Sequence, residues 1–267
     1  MRHKLIFLFI LFPSLTLFST PRESARDRVA EIVTKIQRAD YAGDRTTLKK
    51  CYDELTPFLE DEELASRVRY WRGFDLWRNA INGFNESVDP SELEKLFANA
   101  VGEFKEALAK DPNFVDAKVG MISCLGYMAF IHRNDPDKMQ SLVAQVMSLV
   151  NEAKAAAPDN PRLIWVLGPI IRRNPPEQGG GLEGAIANYK RGLEICSKIK
   201  PSADVLDPSW GKPELMMSLA FGSLSKNPPD TTKAERYARD ALDIVPEWHY
   251  VRDILLPQIL TAKMKAK

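Results

Sequence analysis

The stretch RRNPPEQGGGLEGA, Arg172 to Ala185, holds Gly179-x-Gly181-x-x-Gly184. Glycines at that spacing cradle a pyrophosphate when a β-strand feeds straight into them and a helix leaves them. Here a helical run ends at Arg173 and Asn-Pro-Pro-Glu-Gln follows, and two prolines cannot extend a central strand. Asp204 stands where a ribose partner belongs, but the segment around it, KPSADVLDP, is too broken for a second parallel strand. No Gly-Lys-Ser/Thr follows the glycines, so the stretch is not a P-loop either. It is expected to be a turn between two helices, with glycines permitting a tight entry to the second. Arg172 and Arg173 end the first of these helices, where cations suit the negative helix end. The alternative is that, beside the free amides of a following helix start, they hold an acidic group of a partner.

Other chemistry-bearing residues are sparse. Tyr127, His132 and Arg133 in GYMAFIHR, and Trp165 in LIWVLG, are candidate ligand contacts, with packing and surface roles as the plainer alternative. RVRYWRGFDLWRN interleaves Arg67, Arg69, Arg72 and Arg78 with Tyr70, Trp71, Phe74 and Trp77. Arginine and aromatic mixtures can stack on bases, but Trp71, Phe74 and Trp77 recur every third position and form one helical stripe. Core packing of the rings beside a solvated arginine face is the expectation. With 37 basic and 36 acidic residues the chain has no footprint for nucleic acid. His132 and His249 stand alone, and Cys51, Cys124 and Cys196 form no C-x-x-C, so no metal site and no cofactor are expected. The cysteines are expected to be small buried side chains rather than a disulfide. There is no G-x-S-x-G and no H-E-x-x-H, and catalysis is not expected.

The elements that position these residues are helical almost throughout. Arg2 and Lys4 precede the apolar run from Leu5 to Phe18, which is shorter than the roughly twenty residues that span a bilayer. Residues 1–20 therefore resemble a signal peptide and the chain is expected to be exported, periplasmic or secreted. A cut after Ser19 would leave Leu17 at the third position back, where a small residue is preferred, so an uncleaved N-terminal anchor is the alternative, and membrane contact is expected only in that case. Beyond residue 22 helix starts are marked by Asp89-Pro90, Asp111-Pro112, Asp135-Pro136 and Asn160-Pro161, with Glu92 placed to complete a capping box at Asp89. Ala100, Phe104, Ala107 and Leu108 lie at offsets 0, 4, 7 and 8, one stripe of a helix. Leu149, Ala153, Ala156 and Ala157 repeat it, as do Ala185, Tyr189, Gly192 and Leu193, and Ala234, Ala238, Ala241 and Leu242. Leu48, Tyr52 and Leu55 repeat its first three positions, and proline-bearing turns follow most of the stripes.

These stripes resemble the second helix of the tetratricopeptide repeat (TPR), A-x-x-x-[FY]-x-x-A-[LI] ending in a proline turn, with AVGEFKEALAKDPN matching best. The units are degenerate: they are spaced more widely than the family's 34 residues, and first helices keep only fragments such as Leu125-Gly126. The resemblance implies an all-α fold, an α-solenoid of about five helix-turn-helix pairs plus a C-terminal capping helix, in one domain over residues 22–267. Helices are expected at 22–41, 44–58, 61–82, 90–110, 112–132, 135–156, 160–172, 182–199, 211–224, 230–244 and 249–265. It implies a binding or scaffold protein whose concave surface, built from first helices 61–82, 112–132, 160–172 and 211–224, grips a protein or peptide partner. The alternative is an envelope protein that binds a small-molecule solute, similar to the helical accessory component of certain solute transporters. An internal cavity lined by Trp165, Tyr127 and the arginines would favour it.

Overall fold

The computed structural model describes residues 24–200 and 202–265; the expected signal segment 1–20 lies outside the described residues. Eleven α-helices and no strand occur among the described residues. They stack as antiparallel pairs: α1 (Ala25–Ala42) with α2 (Arg45–Glu54), α3 (Ala65–Asn85) with α4 (Pro90–Lys110), and α5 (Val115–Ile131) with α6 (Pro136–Ala156). α7 (Pro161–Arg173) then pairs with α8 (Gly181–Lys198), and α9 (Lys212–Leu224) with α10 (Thr231–Ile244). α11 (Leu256–Lys265) closes the array. None of these helices is long and apolar enough to cross a membrane.

Most of the stripes become the buried seams of the second helices; in α6 only Ala153 of its stripe is buried, Ala156 is exposed, and the seam is Leu142, Val146, Val150 and Ala153. Ala100, Phe104 and Ala107 are fully buried, as are Ala153 and Ala234, Ala238 and Ala241. Small residues there bring first helices close enough for aromatic wedges. Phe104 lies between Gly73 of α3 and Gly120 of α5, so closely that a Cβ at Gly120 would stand 2.3 Å from its ring. Tyr189 covers Gly168 in the same way. Three of the four expected helix starts form, with Asp89, Asp135 and Asn160 accepting from the amides of Ser91, Lys138 and Arg162.

Local signals mislead at four points. Asp111-Pro112 does not start a helix; Asp111 ends α4 and α5 begins only at Val115. Glu92 makes no capping box, because its carboxylate reaches Arg45 at 2.9 Å. α2 stops at Glu54, short of the expected 58, and passes into a 3-10 turn that contains Pro57. Pro257, which cannot donate to the ladder, is preceded by a π-helical turn, Tyr250–Leu255, where a continuous helix from 249 is expected.

The arginine face of α3 is also not solvated. Arg72 is 6% exposed and bonds Glu103 of α4 at 2.9 Å and the Tyr52 carbonyl at 2.7 Å. Arg78 is 4% exposed and bonds Asp40 of α1 at 2.7 Å. Burial works against the Arg78 charge, but Asp40 and Glu214 outweigh it and hold the guanidinium above its ordinary pKa. The rings of this helix are core, as expected: Trp71, Phe74 and Trp77 are buried.

The array closes on itself. Tyr41 near the end of α1 donates to Glu214 of α9 at 2.7 Å and meets the Trp248 ring edge-on at 5.1 Å. Arg26 pairs with Asp204 at 2.6 Å, and Gln37 bonds Ser209. The connection between α8 and α9 runs back across the ring to the start of α3. There Trp71 donates to the Leu206 carbonyl at 2.8 Å and Trp210 donates to the Tyr70 hydroxyl at 2.9 Å.

Candidate binding cavity

Because the first and last units meet, the concave face is not an open trough. It encloses a cavity of about 520 Å3, within the range of small-molecule sites. Behind the cavity wall, Trp210 packs between α3 and α7. Its ring contacts Trp77 at 5.4 Å and Trp165 at 5.7 Å, and its carbonyl accepts from Arg162. The exposed wall residues mark the mouth. Asn85, Phe130, Pro169, Arg172, Arg173 and Phe221 all sit in the last turns of α3, α5, α7 and α9, so the cavity opens there. The molecule is a cup whose wall carries the rings of Tyr127, Trp165, Tyr189, Trp248 and Tyr250.

Its wall comes chiefly from first helices, at positions one turn apart: Arg78, Ile81, Asn82 and Asn85 on α3; Ile122, Ser123, Gly126, Tyr127 and Phe130 on α5. α7 adds Trp165, Val166, Pro169 and Ile170, and α9 adds Met217, Ser218, Phe221 and Gly222. Trp165 is fixed by donating to the Ser218 hydroxyl at 2.9 Å, and Tyr127 by stacking on Phe97 at 5.2 Å. Burial raises the pKa of Tyr127 and pushes Tyr189 up to about 12, so both phenols are neutral at pH 7. Arg78 is answered by Asp40, whose main chain also accepts from Asn82 at 3.0 Å.

Of the sequence candidates, the structure brings Trp165, Tyr127, Arg172 and Arg173 to this one cavity. His132 is not in its wall; its ring sits 2.8 Å from Glu94 of α4. The glycine stretch is a connection. Gly179 adopts φ 77°, and Gly180 lies so close to the Asn174 carbonyl that a Cβ would meet it at 2.2 Å. The loop is thus folded onto the end of α7 instead of around a phosphate. Sequence reasoning singled out Arg78 but placed it in solvent, and it missed Ser218, Phe221, Trp248 and Tyr250, whose only signal is their place on the inward side of their elements. Among the described residues no cluster of His, Cys, Asp or Glu could hold a metal ion. Cys51, Cys124 and Cys196 are unbridged.

No family model and no curated protein matches the chain in sequence. Solved structures do match in shape. A thermophilic TPR protein from Thermus thermophilus superposes with a TM-score of 0.55 at 15% identity, over 90% of this chain and 100% of that one. The fold is tetratricopeptide-like. The HusA haemophore from Porphyromonas gingivalis is similar with a TM-score of 0.58 at 15% identity, covering 74% of this chain and 94% of its own. At this identity the likeness concerns the fold alone.

Proposed function

We propose that the protein is a carrier which encloses a small, mainly apolar molecule in its cup, and which works outside the cytoplasm after export directed by residues 1–20. The observation that carries this is the closure of the ring, by Tyr41 against Glu214 and Trp248 and by Trp210 bonded back to Tyr70 of α3. The exposed residues of the cavity wall gather at one side, in the last turns of α3, α5, α7 and α9, an arrangement that suits a compact ligand held in a pocket. Half-exposed rings at that mouth, Phe130 at 42% and Phe221 at 41%, leave apolar surface that a ligand would cover. The likeness to a haemophore supports a small ligand, while the TPR likeness alone is equally consistent with a protein partner.

Gly126 provides the test. It lines the cavity, and a Cβ there meets nothing within 4 Å. Gly126→Phe is expected to fill the cup while leaving the fold intact, since replacing a mid-helix glycine removes a cost of up to about 1 kcal/mol. The wild-type chain should take up the neutral dye Nile red saturably, and the variant should melt no lower yet take up none. Absence of saturable uptake by the wild type, or undiminished uptake by the variant, would overturn the proposal. A cross-linked partner lost on mutating the concave face would then make the protein an adaptor. N-terminal sequencing of the mature chain tests export: an intact Met1 would contradict cleavage.

A further inference from the structure

The charge distribution of the cup points to its cargo. We infer, resting on the carrier reading above, that the ligand is an apolar molecule bearing a carboxylate, and that the carboxylate lies at the mouth against Arg172 and Arg173. The cavity wall contains three arginines and no aspartate or glutamate. Arg78, deep in the wall, is neutralised by Asp40 at 2.7 Å. Arg172 and Arg173 make no ion pair among the described residues, and Arg172 instead lies over the Phe221 ring, 5.5 Å from its centre.

Elsewhere the half-buried arginines of this molecule have carboxylate partners. Arg67 has Asp111 and Asp207, Arg69 has Glu103, and Arg162 has Asp116 at 2.6 Å. Exposed arginines need no partner. The mouth is different because two of them border an apolar cavity from which acidic side chains are absent. A third, Arg133, covers the exposed Phe130 ring at 4.8 Å from the α5 end of the same rim. Guanidinium groups held against aromatic rings keep their edges free for bidentate contact with a planar acid. Inside the cup, Tyr127, Trp165, Tyr189, Trp248 and Tyr250 offer ring faces and edges to an apolar body. A neutral apolar solute would leave the two charges without use, and a small hydrophilic acid would leave the apolar wall wet.

The competing explanation is that both arginines only offset the negative end of α7. The two are separated by measuring affinity for matched probes on the full chain, by quenching of tryptophan fluorescence. Dodecanoate is compared with dodecanol, naphthoate with naphthamide, and protoporphyrin with its dimethyl ester. In at least one pair the acid should bind about tenfold or more tightly than its neutral partner, as expected for charge-assisted hydrogen bonds. The pair that shows the largest preference identifies a flexible chain, a small aromatic or a large planar ring as the body. Arg172→Gln/Arg173→Gln should lose that preference while binding the neutral partner as before. Equal affinity for acid and neutral partners in all three pairs would overturn the inference but leave the carrier reading standing. Persistence of the preference in the double variant would also overturn it. If no probe binds, acid or neutral, the carrier reading itself fails and this inference with it. Thermal melts of the double variant complete the test, since a helix-end role alone would lower stability without altering selectivity.

Discussion

Asp75 shows what a single side chain can cost this fold. It is fully buried on α3, and neither carboxyl oxygen has a hydrogen-bond partner among the described residues. Burial first, and then the nearby Asp40, push its pKa up to about 9, with Arg72 opposing. The acid is therefore neutral in the folded chain at pH 7 but ionised when unfolded. Below about pH 4 both states carry the proton and there is no penalty. As pH rises from there toward 9, the unfolded state gains by ionising and folding stability falls, by on the order of 4 kcal/mol at pH 7. Asp75→Asn, equally polar but unable to ionise, should recover much of that. Urea melts at pH 5 and pH 8 should show a larger gain at pH 8. A gain that does not grow with pH would mean that Asp75 has a partner in solution.

Between elements, glycine contacts set how closely helices approach. Gly120 and Gly102 lie in successive helices, yet alanine should act oppositely at each. At Gly120 the new methyl meets the Phe104 ring at 2.3 Å, an overpacking expected to cost about 1–3 kcal/mol. At Gly102 nothing lies within 4 Å, and alanine should stabilise by up to about 1 kcal/mol. Chemical denaturation of the two variants checks the signs, and equal shifts would show that the α4–α5 contact is softer than its geometry. The same contacts explain what the sequence made legible. Offsets of 0, 4, 7 and 8 are local, so the seams of α4, α8 and α10 can be found without knowing what they touch. The partners of Arg72 and Arg78, however, lie 31 and 38 residues away, so local pattern misplaces both arginines in solvent. Periodicity also marks which face of a helix is apolar, not whether that face looks into the core or into a cavity. Tyr127 and Trp165 are therefore visible as candidates, while Ser218, Trp248 and Tyr250 are not.

At the scale of the whole molecule, a solenoid becomes a container only if its ends meet. Units of similar design would keep winding, and what stops them here is the seam between α1 and α9. Tyr41 is the residue common to both parts of that seam, hydrogen-bonded to Glu214 and set against Trp248, which also lines the cavity. Glu214 is buried and is needed at the start of α9, where it accepts from the Gly211 amide at 2.7 Å. Burial already raises its pKa, with Arg78 and the Tyr41 hydroxyl opposing. Removing only the hydroxyl, by Tyr41→Phe, keeps the ring against Trp248 but takes a donor from a buried acid. This should cost about 1–3 kcal/mol. Because the loss falls on the seam and not within a helix pair, it should appear as opening before unfolding. Hydrogen exchange should quicken first in α1 and α9, and Nile red affinity should fall while helical content is unchanged. Uniform acceleration of exchange across all pairs, with affinity retained, would instead mean that the pairs alone shape the cup and the seam merely covers it.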